Sequence, residues 1–225
     1  MAAIELYEAM STLRAVRRLR PDPIPDDVLR RVLEAATWAP TGGNRQAWRV
    51  IAVKDPMRKQ RLGELYKKIT VPFMQSYTER LASLPEGERA KTEKMLRSGL
   101  YLAEHFGEAP VLCIFCFHPE GLAVTDANLP RVSVVGGGSI YPAVQNLLLA
   151  CRAEGLGCVL TTLLCKAEPE VREVLAIPQP WGTAAAVPIG YPQLRGHGPI
   201  SRRPVEEMAY IDSWGRSFGG AHSAG

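Results

Sequence analysis

The chain has 225 residues, of which 46% are hydrophobic and 22% are charged, and this composition excludes disordered and collagen-like proteins. Its 27 basic and 23 acidic residues leave a net charge of +4, which is too small by itself to indicate nucleic-acid binding. Five cysteines and a start without a signal-peptide pattern predict a cytoplasmic protein with free thiols, and no stretch predicts a membrane span.

The first 53 residues predict two helices and a strand. Residues 4–13 carry an apolar stripe of helical period, and three prolines between positions 21 and 25 predict an extended connector. Residues 27–38 show the next helical pattern, which Pro40 ends. A short apolar run at residues 49–53 then predicts the first strand.

Two segments of this region carry candidate binding groups. The first holds Arg14, Arg17, Arg18 and Arg20. These arginines are compatible with a solvated helix end or with an anion site, because guanidinium groups match the geometry of phosphate. The second is the loop Ala39-Pro-Thr-Gly-Gly-Asn-Arg-Gln-Ala-Trp48. Its glycines and short polar side chains predict either a cradle for a flat polar ring or a turn that serves backbone geometry alone.

Residues 57–106 differ from the rest of the chain. They are rich in Lys, Arg and Glu, and they predict two or three amphipathic helices that are interrupted at Pro72 and at Pro85. Such a segment is compatible either with a lid over a binding site or with an ordinary outer helical layer.

The second half of the chain predicts three strands around a core helix. Apolar runs at residues 111–117, 158–162 and 183–189 predict the strands, and helical spacing of apolar residues between 144 and 151 predicts the helix. Pro169 begins a short helix that ends at Leu175. Residues 192–225 are polar and rich in Pro and Gly, so they predict either disorder or a segment that wraps over something such as a second subunit.

Several familiar catalytic patterns fail in this sequence. Cys113 and Cys116 form a C-x-x-C pair, but positions i and i+3 of a strand point to opposite faces, which argues against a redox dithiol. No histidine lies at metal-ligand spacing from a cysteine, so we expect no metal. Tyr141 stands where a dinucleotide fingerprint or a nucleophile elbow needs glycine. With little acid–base machinery left, the sequence indicates that a cofactor carries the chemistry.

Four ordered motifs resemble the FMN-dependent nitroreductase family over nearly the whole chain. They are Arg14-Ala-Val-Arg-Arg-Leu19, the loop at residues 39–48, the unit Tyr141-Pro-Ala-Val-Gln-Asn146 that continues through Leu156-Gly157 to Thr161-Thr162, and Ser201-Arg-Arg-Pro-Val-Glu206. Two positions depart from the family's pattern: Ala15 replaces a Ser and Ala47 replaces a Pro. One hydroxyl contact and some loop stiffness are therefore lost.

The resemblance implies an α+β fold in which a mixed central β-sheet is wrapped by helices, within a single domain over residues 1–225. It also implies a domain-swapped homodimer with two FMN sites at the interface, each built from both chains. Residues 57–106 would form a helical lid or outer segment. Residues 192–225 would form an extended C-terminal arm that crosses to the partner subunit and extends its sheet.

The resemblance also implies which residues hold FMN. Arginines from both ends of the chain would pair with the phosphate or with the N1/O2 edge of the flavin, where positive charge stabilises the reduced form. These are Arg14, Arg17 or Arg18, next to Ala15, together with Arg202 or Arg203. The loop would line the ribityl chain and the ring with Pro40, Thr41, Gly42, Asn44 and Gln46. The strand end whose backbone N–H approaches flavin N5 matches Thr161, Thr162 and Leu163.

The implied function is a ping-pong oxidoreductase. NAD(P)H would give hydride to FMN, and an electron-poor aromatic, such as a nitroaromatic or a quinone, would then be reduced on the same flavin face. Phe73 and Tyr77 are candidate acceptor contacts. The alternatives are flavin fragmentation, reductive dehalogenation or ene reduction on the same fold, a non-catalytic flavin store or sensor, and weak nucleic-acid binding through the arginines. We expect neither nucleic acid nor a membrane as a partner.

Overall fold

The computed structural model describes residues 4–217, which form one β-sheet covered by helices on both faces. The helices are α1 (Leu6–Thr12), α2 (Asp26–Thr37), α3 (Pro56–Thr78), α4 (Glu86–His105), α5 (Tyr141–Ala153), α6 (Glu168–Leu175) and α7 (Val205–Met208). The strands are β1 (Trp48–Val53), β2 (Val111–Phe117), β3 (Gly157–Cys158) and β4 (Gly182–Gly190). The α+β class that the sequence indicated is confirmed.

The sheet has the order β1-β2-β4-β3, and each of these neighbours pairs antiparallel. Its parallel component is a single bridge between Ala15 and Cys158, which adds the segment after α1 to the outer side of β3. The outer side of β1 has no strand partner among residues 4–217. One edge of the sheet is therefore covered within the chain and the other is open.

The predicted third strand at residues 158–162 is wrong in its extent. Only Gly157 and Cys158 pair continuously with β4, and pairing returns once, between Thr161 and Ala186. The register that joins Cys158 to Ile189 and Thr161 to Ala186 places Val159 opposite Pro188. Proline has no backbone N–H to donate, so the hydrogen-bond ladder is interrupted at that point.

Two hydrophobic clusters lie on the two faces of the sheet. One contains the apolar faces of α2 and α5 and includes Cys113, and the other contains those of α3, α4 and α6 and includes Cys116. The two cysteines of the C-x-x-C pair thus point to opposite faces, as strand geometry predicted. Burial raises the pKa of each thiol to about 12, which keeps both protonated and unreactive at neutral pH.

The segment at residues 57–106 forms the two long helices α3 and α4. The predicted interruption at Pro72 is wrong, because this proline lies inside α3. Its ring is exposed to solvent, while Leu62, Tyr66 and Met74 on the opposite face are buried and hold the helix against the sheet. Tertiary packing thus outweighs the local cost of the proline.

The described part of the C-terminal segment contains only one short helix, α7. None of the residues from 191 to 217 is buried, in keeping with the polar, Pro- and Gly-rich composition of residues 192–225. In the region from 4 to 217, no helix is both long enough and apolar enough to cross a membrane.

Candidate functional site

The arginine-bearing segment at residues 14–20 begins beside β3 and then pairs with residues 191–193, which follow β4. Val16 donates its backbone N–H to the Cys158 carbonyl at 2.9 Å, and Arg20 donates to the Tyr191 carbonyl at 2.7 Å. Gly157 allows this close approach, because a Cβ atom there would lie 2.6 Å from Val16 Cγ1. The backbone of the segment is therefore fixed, and its side chains differ in exposure: Val16 is buried, whereas Arg14 and Arg18 are exposed.

The three predicted arginines of this segment have different surroundings. Arg14 is exposed, and its Nε donates to the Pro199 carbonyl at 2.9 Å. The guanidinium of Arg18 lies 3.7 Å from the ring centroid of Tyr101, in cation–π geometry. Arg17 is half-buried, and its terminal nitrogen donates a long hydrogen bond of 3.4 Å to Ser98 Oγ.

Among the arginines of this segment, Arg17 is the one whose charge is least compensated within the described chain. Burial lowers the pKa of its guanidinium, and the neighbouring Tyr66 opposes that shift, but an arginine remains charged at neutral pH. Among residues 4–217, neither Arg14, Arg17 nor Arg18 forms an ion pair with a carboxylate, whereas Arg20 pairs with Asp22 at 3.3 Å. A partly desolvated charge without a counter-ion is costly, so the site favours an anionic ligand.

His197 is a structural part of this site that the sequence did not reveal. Its Nδ1 accepts the backbone N–H of Arg14 at 3.2 Å, and its Nε2 donates to the Leu156 carbonyl at 2.7 Å. Burial is the largest cause that lowers the pKa of His197, so the ring is neutral with the proton on Nε2. The histidine fastens the start of the C-terminal segment to the arginine segment. No motif in the sequence marks it.

The two late arginines are exposed. Arg202 contacts the carbonyl of its neighbour Ser201 at 2.7 Å, and the structure records no direct contact between Arg202 or Arg203 and the early arginines. They nevertheless follow closely after Pro199, whose carbonyl is bonded to Arg14. The structure thus brings the backbone near Pro199, but not the Arg202 and Arg203 side chains themselves, into contact with the early arginines.

The predicted turn at Thr161, Thr162 and Leu163 follows β3. Thr161 is buried, and its backbone N–H and carbonyl pair with Ala186 at 2.9 and 2.8 Å. Its hydroxyl accepts hydrogen bonds from the Tyr66 hydroxyl at 3.2 Å and from the Leu163 N–H at 3.3 Å. Thr162 is exposed.

A cavity of about 430 Å³ lies beside this turn. Its wall includes Phe117, Tyr141, Thr162, Cys165 and Thr183. That volume suits a small flat molecule. A larger groove of about 600 Å³ lies between α2 and Val50, but none of the predicted site residues lines it. In the described part of the chain, no cluster of three or more His, Cys, Asp or Glu side chains is arranged to hold a metal ion.

The loop at residues 40–46 is tightly organised. Gly42 donates its N–H to Ser139 Oγ at 3.0 Å, and Gln46 donates its N–H to Thr41 Oγ1 at 3.0 Å. Gly43, Asn44 and Gln46 all have a positive φ between 49° and 57°, which the glycine and the asparagine tolerate best. Pro40 and Gly42 are exposed beside them.

The loop and the arginine segment lie at opposite corners of the sheet. The loop leads into Trp48 of the edge strand β1, which pairs with Phe117, whereas Ala15 lies beyond the other edge, opposite the far end of β2. Strand spacing and rise per residue place the two about 20 Å apart in each direction of the sheet. Among the described residues no hydrogen bond joins them, so a single chain does not bring the two halves of the predicted site together.

The two candidate acceptor contacts lie on the second half of α3. The rings of Phe73 and Tyr77 meet edge-on with 5.3 Å between centroids. Phe73 is partly buried, and Lys166 Nζ lies 5.3 Å from its ring centroid. Lys166 follows the 161–163 turn closely in the sequence. Tyr77 is exposed.

The comparisons with known proteins agree with each other. The Nitroreductase family matches residues 12–191. The chain is 31% identical over 210 residues to iodotyrosine deiodinase 1 of Rattus norvegicus, covering 92% of this chain and 70% of the rat protein. It is 30% identical over 202 residues to an NADH dehydrogenase of Thermus thermophilus, covering 87% and 90% of the two chains.

A solved structure shares the fold. A putative nitroreductase in complex with FMN from Desulfovibrio desulfuricans superimposes with a TM-score of 0.66 and 22% identity, covering 94% of this chain and 98% of the other.

Proposed function

The chain belongs to the nitroreductase family, and on that premise we propose that it is an FMN-dependent oxidoreductase. FMN, when bound, supplies the capacity to accept hydride from NAD(P)H and to deliver electrons to a second substrate. The protein's own task is then to bind, orient and exclude water. Electron-poor aromatics such as nitroaromatics or quinones are the proposed acceptors.

One observation carries the cofactor assignment. Arg17 is a half-buried cation for which the described residues provide no carboxylate, and a phosphate ester supplies the missing anion. Arg14 and Arg18 add positive charge nearby, and Arg202 and Arg203 follow the Pro199 carbonyl to which Arg14 is bonded. We assign the phosphate and the electron-rich edge of the reduced flavin to this basic region.

Two further features suit the rest of the cofactor and the acceptor. The 161–163 turn borders a cavity with the aromatic walls Phe117 and Tyr141, which suit a flat ring. The loop at residues 40–46, which is tied to Ser139 through the Gly42 N–H, is exposed at Pro40 and Gly42, and this surface suits the ribityl chain and the other face of the ring. Phe73 remains a candidate acceptor contact because it packs toward this turn, and Tyr77 adds an exposed ring beside it.

We further propose that the site is completed by a second copy of the chain. The loop and the basic region lie at opposite corners of one sheet, so one protomer would supply the arginines and its partner the loop. The open edge of β1 can accept an added strand, and residues 192–225 are the proposed arm that supplies it. Exposed apolar side chains on the described arm, such as Leu194 and Trp214, suit burial against a partner.

The decisive experiment is anaerobic and spectroscopic. The purified chain is expected to bind FMN, to lose its visible flavin absorbance when NADH or NADPH is added, and to regain it when a nitroaromatic or a quinone is added. A protein that neither retains FMN nor is stabilised by it would refute the cofactor assignment. Flavin that is bound but not reduced by either nicotinamide would refute the proposed donor and leave the flavin store as the better description.

Reductive dehalogenation is a second candidate because of the similarity to the rat deiodinase. It is tested in the same cuvette by replacing the nitroaromatic with a halogenated tyrosine and measuring halide release. Release of halide at a rate above that of nitroaromatic reduction would favour this reaction over the first proposal.

A further inference from the structure

Tyr66 joins helix α3 to the 161–163 turn. It is 3% exposed, and its ring stacks on Phe106 with 4.1 Å between centroids and an interplanar angle of 23°. The stacked ring aims its hydroxyl at Thr161, and the Oη–Oγ1 distance is 3.2 Å. The ring position and the hydroxyl contact are thus set by different partners, so the hydroxyl can be removed without removing the packing.

Thr161 is the centre of this contact. Its main chain is held by both hydrogen bonds to Ala186 on β4, and its hydroxyl accepts from Leu163 N–H at 3.3 Å as well as from Tyr66. A hydroxyl oxygen has two acceptor positions, and both are used here. Tyr66 therefore fixes the orientation of the hydroxyl that in turn orients the Leu163 N–H.

We propose that Tyr66 is a positioning residue for the flavin reaction. This inference rests on the proposed function, because it assumes that the 161–163 turn contacts the flavin. Its hydroxyl holds the Thr161–Leu163 turn in one conformation and ties it to α3. Phe73, a candidate acceptor contact, lies seven residues further along α3, about two helical turns away. The same helix therefore carries Phe73 and contacts the turn.

The first test does not depend on flavin. In the full-length chain stripped of FMN, hydrogen–deuterium exchange is measured for the peptide that spans residues 159–165. Tyr66→Phe is expected to speed that exchange about threefold to tenfold, because it removes one buried hydrogen bond. Tyr7→Phe, on the exposed face of α1, is the control and should leave the exchange unchanged. Thr161→Val should speed exchange further, because it also removes the acceptor of the Leu163 N–H. Adding Tyr66→Phe to Thr161→Val should then have no additional effect, because the Tyr66 hydroxyl acts through Thr161 Oγ1.

The second test measures the flavin. In the FMN-loaded protein, Tyr66→Phe is expected to shift the visible flavin spectrum and to slow flavin reduction at saturating NAD(P)H about threefold to tenfold, with FMN affinity changed less than about twofold. A merely structural role would instead lower the unfolding midpoint and leave spectrum and reduction rate as in the unmodified protein. That outcome, or unchanged exchange in the first test, overturns the inference. Failure of the unmodified protein to bind FMN would instead refute the proposed function. Failure of the inference and failure of the proposed function are therefore distinguished by separate measurements.

Discussion

Neighbouring arginines with the same chemistry have different roles at the scale of the residue. The Arg18 guanidinium packs on the ring of Tyr101, and the Arg14 guanidinium donates a hydrogen bond to the Pro199 carbonyl, so each has a partner within the chain. Arg17 has only a long hydrogen bond to Ser98. The structure thus separates residues that the motif leaves equivalent.

Arg17→Ala is therefore expected to weaken FMN binding about tenfold to a hundredfold, the worth of a hydrogen bond to a charged group. Arg18→Ala should change the affinity by less than about threefold, because its guanidinium is engaged with Tyr101. Fluorescence titration of FMN into the stripped protein measures both, and Arg17→Lys serves as the control that keeps the charge. Equal losses for Arg17→Ala and Arg18→Ala would contradict the assignment.

His197 predicts a pH dependence of the same site. Its pKa is lowered in the folded protein, so it is neutral there, while the unfolded chain binds a proton below its ordinary value of 6.5. The stability that this histidine contributes is complete above pH 6.5 and is lost as the pH falls below it. Protonation also places a hydrogen on Nδ1, against the Arg14 N–H that this nitrogen accepts.

We expect FMN affinity to decrease when the pH is lowered from 8 to 5.5, and the decrease should be about threefold larger in the unmodified protein than in His197→Gln. A threefold difference in affinity corresponds to less than the free energy of one hydrogen bond. Gln stays neutral and keeps a donor for the Leu156 carbonyl, and it leaves the titration of the FMN phosphate itself unchanged. Titrations at the two pH values give the ratio. Identical pH dependences in the two proteins would show that His197 does not control the arginine segment.

At the scale of the element, two prolines differ in their effect: one does not interrupt the helix that contains it, and the other interrupts the strand next to its own. Pro72 predicted a helix end and lies inside α3, whose buried face holds it in place. Pro188 is part of a strand that was predicted correctly, and it interrupts the neighbouring strand instead. In both cases the partner element decides the result, because hydrogen bonds and packing across elements outweigh local propensity.

Pro72→Ala is expected to stabilise the protein by about 1–2 kcal/mol, since it restores the helical hydrogen bond to the Lys68 carbonyl that proline cannot make. For a chain of this length the melting temperature should rise by about 2–8 °C. Pro56→Ala is the matched control, because a proline in the first turn of the same helix costs no bond and should give no gain. Scanning calorimetry distinguishes the two, and a lower melting temperature for Pro72→Ala would contradict the prediction.

At the scale of the whole molecule, the proposed site consists of two parts that one chain keeps apart. The arginine segment lies beyond β3 and the 40–46 loop lies at the start of β1, at opposite corners of the sheet. A flavin that touches both must lie between two copies of the chain. If the proposed site residues hold FMN, the proposed homodimer is a condition for the proposed activity and not only a packing preference.

Mixing two variants that each bind FMN poorly tests this arrangement, at an FMN concentration that leaves each variant alone mostly empty. Arg17→Ala removes the proposed phosphate contact, and Gly42→Glu blocks the proposed FMN surface of the loop. The fold should tolerate Gly42→Glu, because a Cβ atom at this position would lie 3.5 and 3.6 Å from its nearest neighbours, which are ordinary contact distances. If each site takes Arg17 from one chain and Gly42 from the other, unfolding and refolding an equal mixture restores about a quarter of the normal number of sites, because half of the dimers are mixed and each has one intact site. Flavin occupancy and turnover measure the recovery, and an inactive mixture would refute shared sites.

The sequence by itself determined the elements and the chemical character of the site. Helices and strands were predicted because their apolar periodicity is a local property, and the arginines, the glycine loop and the Thr-Thr turn were visible as motifs of contiguous residues. Only the tertiary structure decided that Arg17 has just a long hydrogen bond to Ser98 while Arg18 packs on Tyr101. It alone also decided that His197 contacts Arg14, that Tyr66 contacts Thr161, and that Pro188 shortens β3. These results depend on strand register and on contacts between residues far apart in the chain, and no local pattern encodes those distances.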